Sequence, residues 1–71
     1  MRIEYDQDAD TLYIHFKDVR TEDNRDIEEG VTIDLDADGH LVGLEILDAA
    51  KRFGIDSVSK VRIENLSIAK S

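Results

Sequence analysis

On either side of Asp38-Gly39 the chain alternates apolar and polar residues with a period of two, and no other feature restricts its fold so strongly. Val31, Ile33 and Leu35 alternate with Thr32, Asp34 and Asp36; Val42, Leu44 and Ile46 alternate with Gly43 and Glu45. A two-residue period sends each apolar set to one face of a strand. Asp-Gly between two such runs signals a hairpin, because glycine takes a positive φ without steric cost. A turn closed there pairs Leu35 with Val42, Ile33 with Leu44 and Val31 with Ile46. All three pairs then share one face, which a one-residue slip would destroy. A four-residue loop from Asp36 to Gly39 keeps the same parity, so the turn type stays open. Leu41 and Leu47 fall on the opposite face, which implies that this face is not wholly solvated.

The same stretch, DLDADGHLVGLE, has the spacing of a calcium loop: Asp34, Asp36 and Asp38 at positions one, three and five, Gly39 at six and Glu45 at twelve. The flanks argue against that use, since such a loop joins two helices and these are strands. Calcium needs six to eight oxygens converging at ~2.3–2.6 Å. On a hairpin Asp36 and Glu45 stand four ladder positions apart, on the order of 13 Å. The acids therefore read as an exposed row, with Asp34, Asp36 and Asp38 as weak candidates for a divalent cation.

Before the hairpin, Ile3 and Tyr5 alternate with Arg2 and Glu4, and Leu12, Ile14 and Phe16 alternate with Tyr13 and His15. Between them Asp6, Asp8 and Asp10 form a turn in which Asp side chains satisfy backbone amides. These two segments predict a first hairpin. Lys17 to Gly30 is polar apart from Val19 and Ile27. A short charged edge strand at Thr21–Ile27, turning at Gly30, fits it, because charge on an edge discourages foreign pairing. After Leu47, Asp48 suits the N-cap of a short helix, AAKRF, which Gly54 ends. Residues 55–71 read as a tail with a short strand near Lys60–Glu64 and a loose terminus; Leu66 and Ile68 extend its apolar set.

Seventy-one residues are near the lower limit for a self-sufficient core, and no Cys is present to staple it. A second copy is the simplest remaining support, so a homo-oligomer, preferably a dimer, is expected. Seventeen acids oppose nine basic residues, a formal net charge of −8. That field repels phosphate backbones and anionic lipid, and attracts a basic protein partner. The opening MRIEYDQDAD has no apolar core for a signal peptide, and no run approaches a bilayer span. A cytoplasmic location is the expectation.

Among chemical candidates, Tyr13 and His15 project from one sheet face, and His40 follows the turn. No nucleophile–His–acid signature or Gly-rich phosphate loop accompanies them. No catalytic residue and no cofactor is assigned, and the chain reads as a non-enzyme. A hydrolase site at an oligomer interface near Tyr13 and His15 is kept as an alternative, as is weak cation binding at the 34–38 turn.

The residues Tyr5-Asp6, Ala9-Asp10 and Leu12-Tyr13-Ile14, followed by Ile33-Asp34, Asp38-Gly39 and Leu41 through Ala49, carry a family resemblance. Over roughly residues 1 to 53 the chain resembles the small prokaryotic family called domain of unknown function 2283. The resemblance implies a β-meander followed by a short helix, with no established activity. Some members are suspected neighbours of small toxin-like genes, which implies an antitoxin-like role. The expectation is one mostly β (α+β) domain over residues 1–71: a four- to five-stranded antiparallel meander with one short helix near residues 49–53. Its expected function is that of a protein–protein interaction module.

Overall fold

Four of the strands form where the two-residue alternation runs, and turns form where Asp and Gly interrupt it. The computed structural model describes residues 1–65 and 67. Five strands, β1 (Arg2–Asp6), β2 (Thr11–His15), β3 (Asp23–Glu28), β4 (Val31–Leu35) and β5 (Leu41–Leu47), precede two short helices, α1 (Ala49–Phe53) and α2 (Ile55–Ser59). The strands make one antiparallel sheet in the order β1-β2-β5-β4-β3. The β1–β2 hairpin thus docks against the last strand of the β3–β4–β5 run. To reach β3 from β2 the chain must pass the ends of β5 and β4, about 14 Å at the usual strand spacing. Phe16–Glu22 makes this crossing. It is strapped at both ends, with Phe16 N–H donating to the Val42 carbonyl at 2.8 Å and Glu22 N–H to that of Leu35 at 2.8 Å.

Register sorts the side chains into two faces. On one, Tyr5, Leu12, Ile46 and Val31 form a cross-strand row, and Ile3, Ile14, Leu44 and Ile33 form the next. Both helices lie over the first row: Ala49 and Val58 join Val31 and Ile46 in the core, with Tyr5, Leu12, Leu44 and Ala50 packed around them. The core is thin, because one sheet carries only a partial second layer. Among the described residues only Ala49 is wholly inaccessible.

The central hairpin matches expectation at two of its three pairs. Val31 faces Ile46 and Ile33 faces Leu44, but Leu35 faces Leu41 rather than Val42. The turn explains the shift. Asp36 N–H donates to the His40 carbonyl at 2.9 Å and Gly39 N–H to the Asp36 carbonyl at 3.0 Å, leaving a three-residue loop with Gly39 at φ 82°. A loop of that length shifts pairing by one residue, and the irregularity after Asp34 restores it. Turn and bulge together return the apolar residues to one face.

Three further departures concern the ends of elements. Asp48 does not cap α1; it lies in the left-handed region at φ 55° and its side chain bonds no helix amide. Asp10, from the first hairpin, does this work: its Oδ1 accepts from Ala50 N–H at 2.8 Å and its carbonyl from Ala49 N–H at 3.0 Å. Ile55–Ser59, expected as tail, is a second helix, and Lys60–Glu64 forms no strand. Without a neighbouring strand to pair with, the alternation of Val61 and Ile63 produces none. Leu66 and Ile68 lie outside the described residues. The edge strand fell close to where expected, as β3, and is exposed throughout.

Arg52 ties α1 to the sheet. Its Nε donates to the Leu47 carbonyl at 2.7 Å, one terminal nitrogen pairs with Glu28 at 3.0 Å, and the other bonds the Glu29 carbonyl. The basic residue near the end of the helix therefore holds the β3–β4 turn.

Candidate functional site

The second sheet face is polar, and there the chemistry-bearing side chains meet. Cross-strand rows place Glu4, Tyr13, Glu45, Thr32 and Asp26 side by side, then Arg2, His15, Gly43, Asp34 and Asn24. Tyr13 does not stand upright. From β2 it leans across β5, and its hydroxyl donates to Asp34 Oδ2 on β4. Gly43 lies beneath it: a Cβ there would come within 3.0 Å of the Tyr13 hydroxyl and 3.1 Å of its ring carbon Cε1. A glycine inside a strand marks such a close approach.

His15 packs beside the tyrosine, with ring centroids 4.2 Å apart and planes tilted by 41°. Its Nε2 lies 2.7 Å from Glu4 Oε1, which also pairs with Arg2 at 3.1 Å. Contacts among side chains of β1, β2 and β4 thus run across the face, with the tyrosine passing over β5. The arrangement is open, with the His15 side chain 28% exposed and that of Glu4 54% exposed. A recess of about 540 Å³ beside it is lined by Glu4, Asp6, Tyr13 and Glu45, among others.

The turn acids have other partners. Asp36 accepts from Lys17 Nζ at 2.7 Å and, through Oδ1, from the amides of Asp38 (3.0 Å) and His40 (2.9 Å). The Lys17 hydrogen bond first, then the His40 amide, pulls its carboxyl down to about 2. Asp34 is engaged by Tyr13, and Asp38 is exposed. Among the described residues no three His, Cys, Asp or Glu side chains are placed to hold a metal.

In the first turn, Asp6 Oδ1 accepts from the amides of Asp8 and Ala9, as an Asx turn requires. Asp10 also accepts from the Tyr5 hydroxyl at 2.7 Å. The Ala50 amide, then the Tyr5 hydroxyl, lowers the Asp10 carboxyl below its ordinary value. The same contact, followed by partial burial, raises the Tyr5 phenol. These acids build structure.

Of the residues singled out from sequence, the structure brings Tyr13, His15 and Asp34 together and leaves His40 at the exposed hairpin tip. Sequence reasoning missed Glu4 and Gly43. The lone glycine within the alternation was the available signal for Gly43; Glu4 became visible only through its register opposite Tyr13.

No helix among the described residues is long and apolar enough to cross a membrane. No solved structure matches the chain. An uncharacterised protein of Methanocaldococcus jannaschii is 34% identical over 56 residues, covering 79% of this chain and 47% of the relative. The chain thus spans about half the length of that protein. A family model described as protein of unknown function (DUF2283) matches residues 2–49, which hold the entire sheet and its polar face. On these matches the chain belongs to the DUF2283 family of proteins of unknown function.

Proposed function

We propose that this protein is a non-enzymatic interaction module that takes a basic segment of a partner protein on its polar sheet face, in the manner of an antitoxin. The observation carrying this reading is the recess lined by Glu4, Tyr13 and Glu45, among others, where Glu45 and the Glu4 carboxylate that already holds Arg2 stand beside an aromatic ring. An arginine or lysine finds both charge and a π surface in such a setting. The formal charge of −8 draws a basic chain towards it from a distance. Two intramolecular contacts of the face, Tyr13 with Asp34 and His15 with Glu4, hold its rings in position before a partner arrives.

An arginine-rich peptide titrated into labelled protein tests the reading. Chemical shifts at Glu4, Tyr13 and Glu45 are expected to move, less so as salt rises. Glu45→Gln should weaken the effect. A peptide that moves only residues elsewhere, or none, refutes it.

A second reading draws on the contact between His15 and Glu4, which suits an acid–base pair completed by another subunit. Its test is His15→Ala against any turnover found by substrate screening. Unchanged turnover ends it.

A further inference from the structure

We infer that the basic partner segment is held as a sixth strand, added antiparallel along the outer edge of β1, with side chains in the order basic, apolar, basic, apolar, acidic. This rests on the proposed function for the partner's charge and adds the way the partner is held. An unpaired strand edge is a template for another chain. The sheet has two edges, β1 and β3. β3 is guarded by Asp23, Arg25, Asp26 and Glu28 and by a register irregularity between Asp26 and Glu28. β1 pairs with β2 through five successive residues without irregularity, and four of its five residues are exposed.

The register shows which main-chain groups this edge offers. Phe16 N–H donates to the Val42 carbonyl, so the backbone groups of Phe16 face β5. By alternation those of Leu12 and Ile14 face β5 too, and those of Thr11, Tyr13 and His15 face β1. Their partners there are Asp6, Glu4 and Arg2. The N–H and C=O of Ile3 and Tyr5 are therefore the ones that point outward, ready to exchange hydrogen bonds with an added strand.

Charge complementarity names the occupant. A strand whose first residue lies beside Asp6 and whose fifth lies beside Arg2 meets in turn an acid, an aromatic ring, an acid, an aliphatic side chain and a cation. Opposite charges attract when they face each other across two strands. Among the described residues the side-chain contacts of Glu4 use Oε1 and those of Asp6 use Oδ1, which leaves Oε2 and Oδ2 to accept from the guest. Glu4 and Asp6 also line the recess beside Tyr13, so the guest's basic side chains enter the site already described. A second copy suits this edge poorly. Full antiparallel overlap of two β1 strands sets Glu4 against Glu4, and each copy brings a formal charge of −8.

Titration of the isotope-labelled full chain with an end-capped peptide, Arg-Val-Arg-Val-Glu, tests the inference by amide shifts and hydrogen exchange. Exchange at the Ile3 and Tyr5 amides should slow on binding. N-methylation of both valines, which lie opposite Ile3 and Tyr5, should weaken binding roughly 10-fold, whereas N-methylation of the central arginine, whose amide faces solvent, should not. The reversed peptide, Glu-Val-Arg-Val-Arg, sets arginine against Arg2 and should bind roughly 5-fold more weakly. Shifts at Tyr13 and Glu45 with unchanged exchange at Ile3 and Tyr5 overturn strand addition and leave the proposed function standing. Equal losses from the two methylations overturn it as well. Slow exchange at Ile3 and Tyr5 in peptide-free protein, deepening with protein concentration, gives the edge to a second copy and overturns it. A peptide that moves nothing overturns strand addition, while the arginine-rich titration still decides the proposed function by itself.

Discussion

Gly43→Ala tests the architecture of the polar face most directly. A Cβ at this position would lie 2.9 Å from the Ile14 carbonyl oxygen, 3.0 Å from the Tyr13 hydroxyl and 3.1 Å from Tyr13 Cε1. Ordinary carbon–oxygen contacts begin at about 3.3 Å, so both strand and ring must give. Forcing a methyl into a packed site costs about 1–3 kcal/mol. Alanine recovers about 0.4–1 kcal/mol through the lower entropy of the unfolded chain. The net expectation is a destabilisation of about 1–2 kcal/mol, which lowers Tm by roughly 5–15 °C in a domain this size. Thermal unfolding by circular dichroism, with urea titration alongside, measures it. Because the tyrosine supplies two of the three contacts, the cost should shrink by about 0.5–1 kcal/mol in a Tyr13→Ala background. An upfield ring-current shift of the Gly43 α-protons, lost in Tyr13→Ala, is the spectroscopic counterpart. A Gly43→Ala protein as stable as the wild type, or a cost independent of residue 13, would refute the placement of the ring over β5.

Asp10→Ala should release α1, seen as faster hydrogen exchange at the Ala49 and Ala50 amides, while Asp48→Asn should leave both protected; the opposite ranking would restore Asp48 as the cap. Asp36 has a depressed carboxyl, so its contribution to stability is present above the ordinary value of 3.8 and is lost as pH falls towards about 2. Thermal melts should therefore show a gap between wild type and Asp36→Asn that is constant above pH ~4 and closes below it; a gap that does not change with pH counts against the Lys17 contact. Calcium at ~1 mM should give no heat by calorimetry, because Asp34 and Asp36 already have partners within the chain and, among the described residues, no three ligating side chains are placed to hold a metal. Heat that disappears in Asp34→Asn would overturn that.

The parts of this fold legible in the sequence were those governed by local rules. Strands β1, β2, β4 and β5 follow the alternation, the turns follow Asp6–Asp10, Gly30 and Asp38-Gly39, and Gly54 ends α1. The face carrying Ile33, Leu44, Val31 and Ile46 was readable because a two-residue period leaves only two choices. Tyr13 and His15 were assigned to a common face on the same grounds. The mistakes arose where a long-range contact displaced a local preference. Asp48 has the side chain of a cap, but Asp10 reaches the helix across the sheet and takes its place. Lys60–Glu64 alternates like a strand yet has no strand to pair with, and Ile55–Ser59 winds into a helix that seats Val58 on the core.

A β-rich chain, its acidity and the hairpin centred on Asp38-Gly39 are readable from the residues alone, because each depends on composition or on residues close together in the chain. Tertiary structure alone decided the order β1-β2-β5-β4-β3, the one-residue shift at the hairpin tip and the lean of Tyr13 over Gly43 onto Asp34. Each of these depends on which strand lies beside which, and residues 13, 34 and 43 come into contact only after β5 has entered the sheet between β2 and β4. The DLDADGHLVGLE stretch shows the division most clearly. Its acids have the spacing of a cation loop, but the strands on either side spread them along a ladder, where they meet a tyrosine, a lysine and their own turn amides.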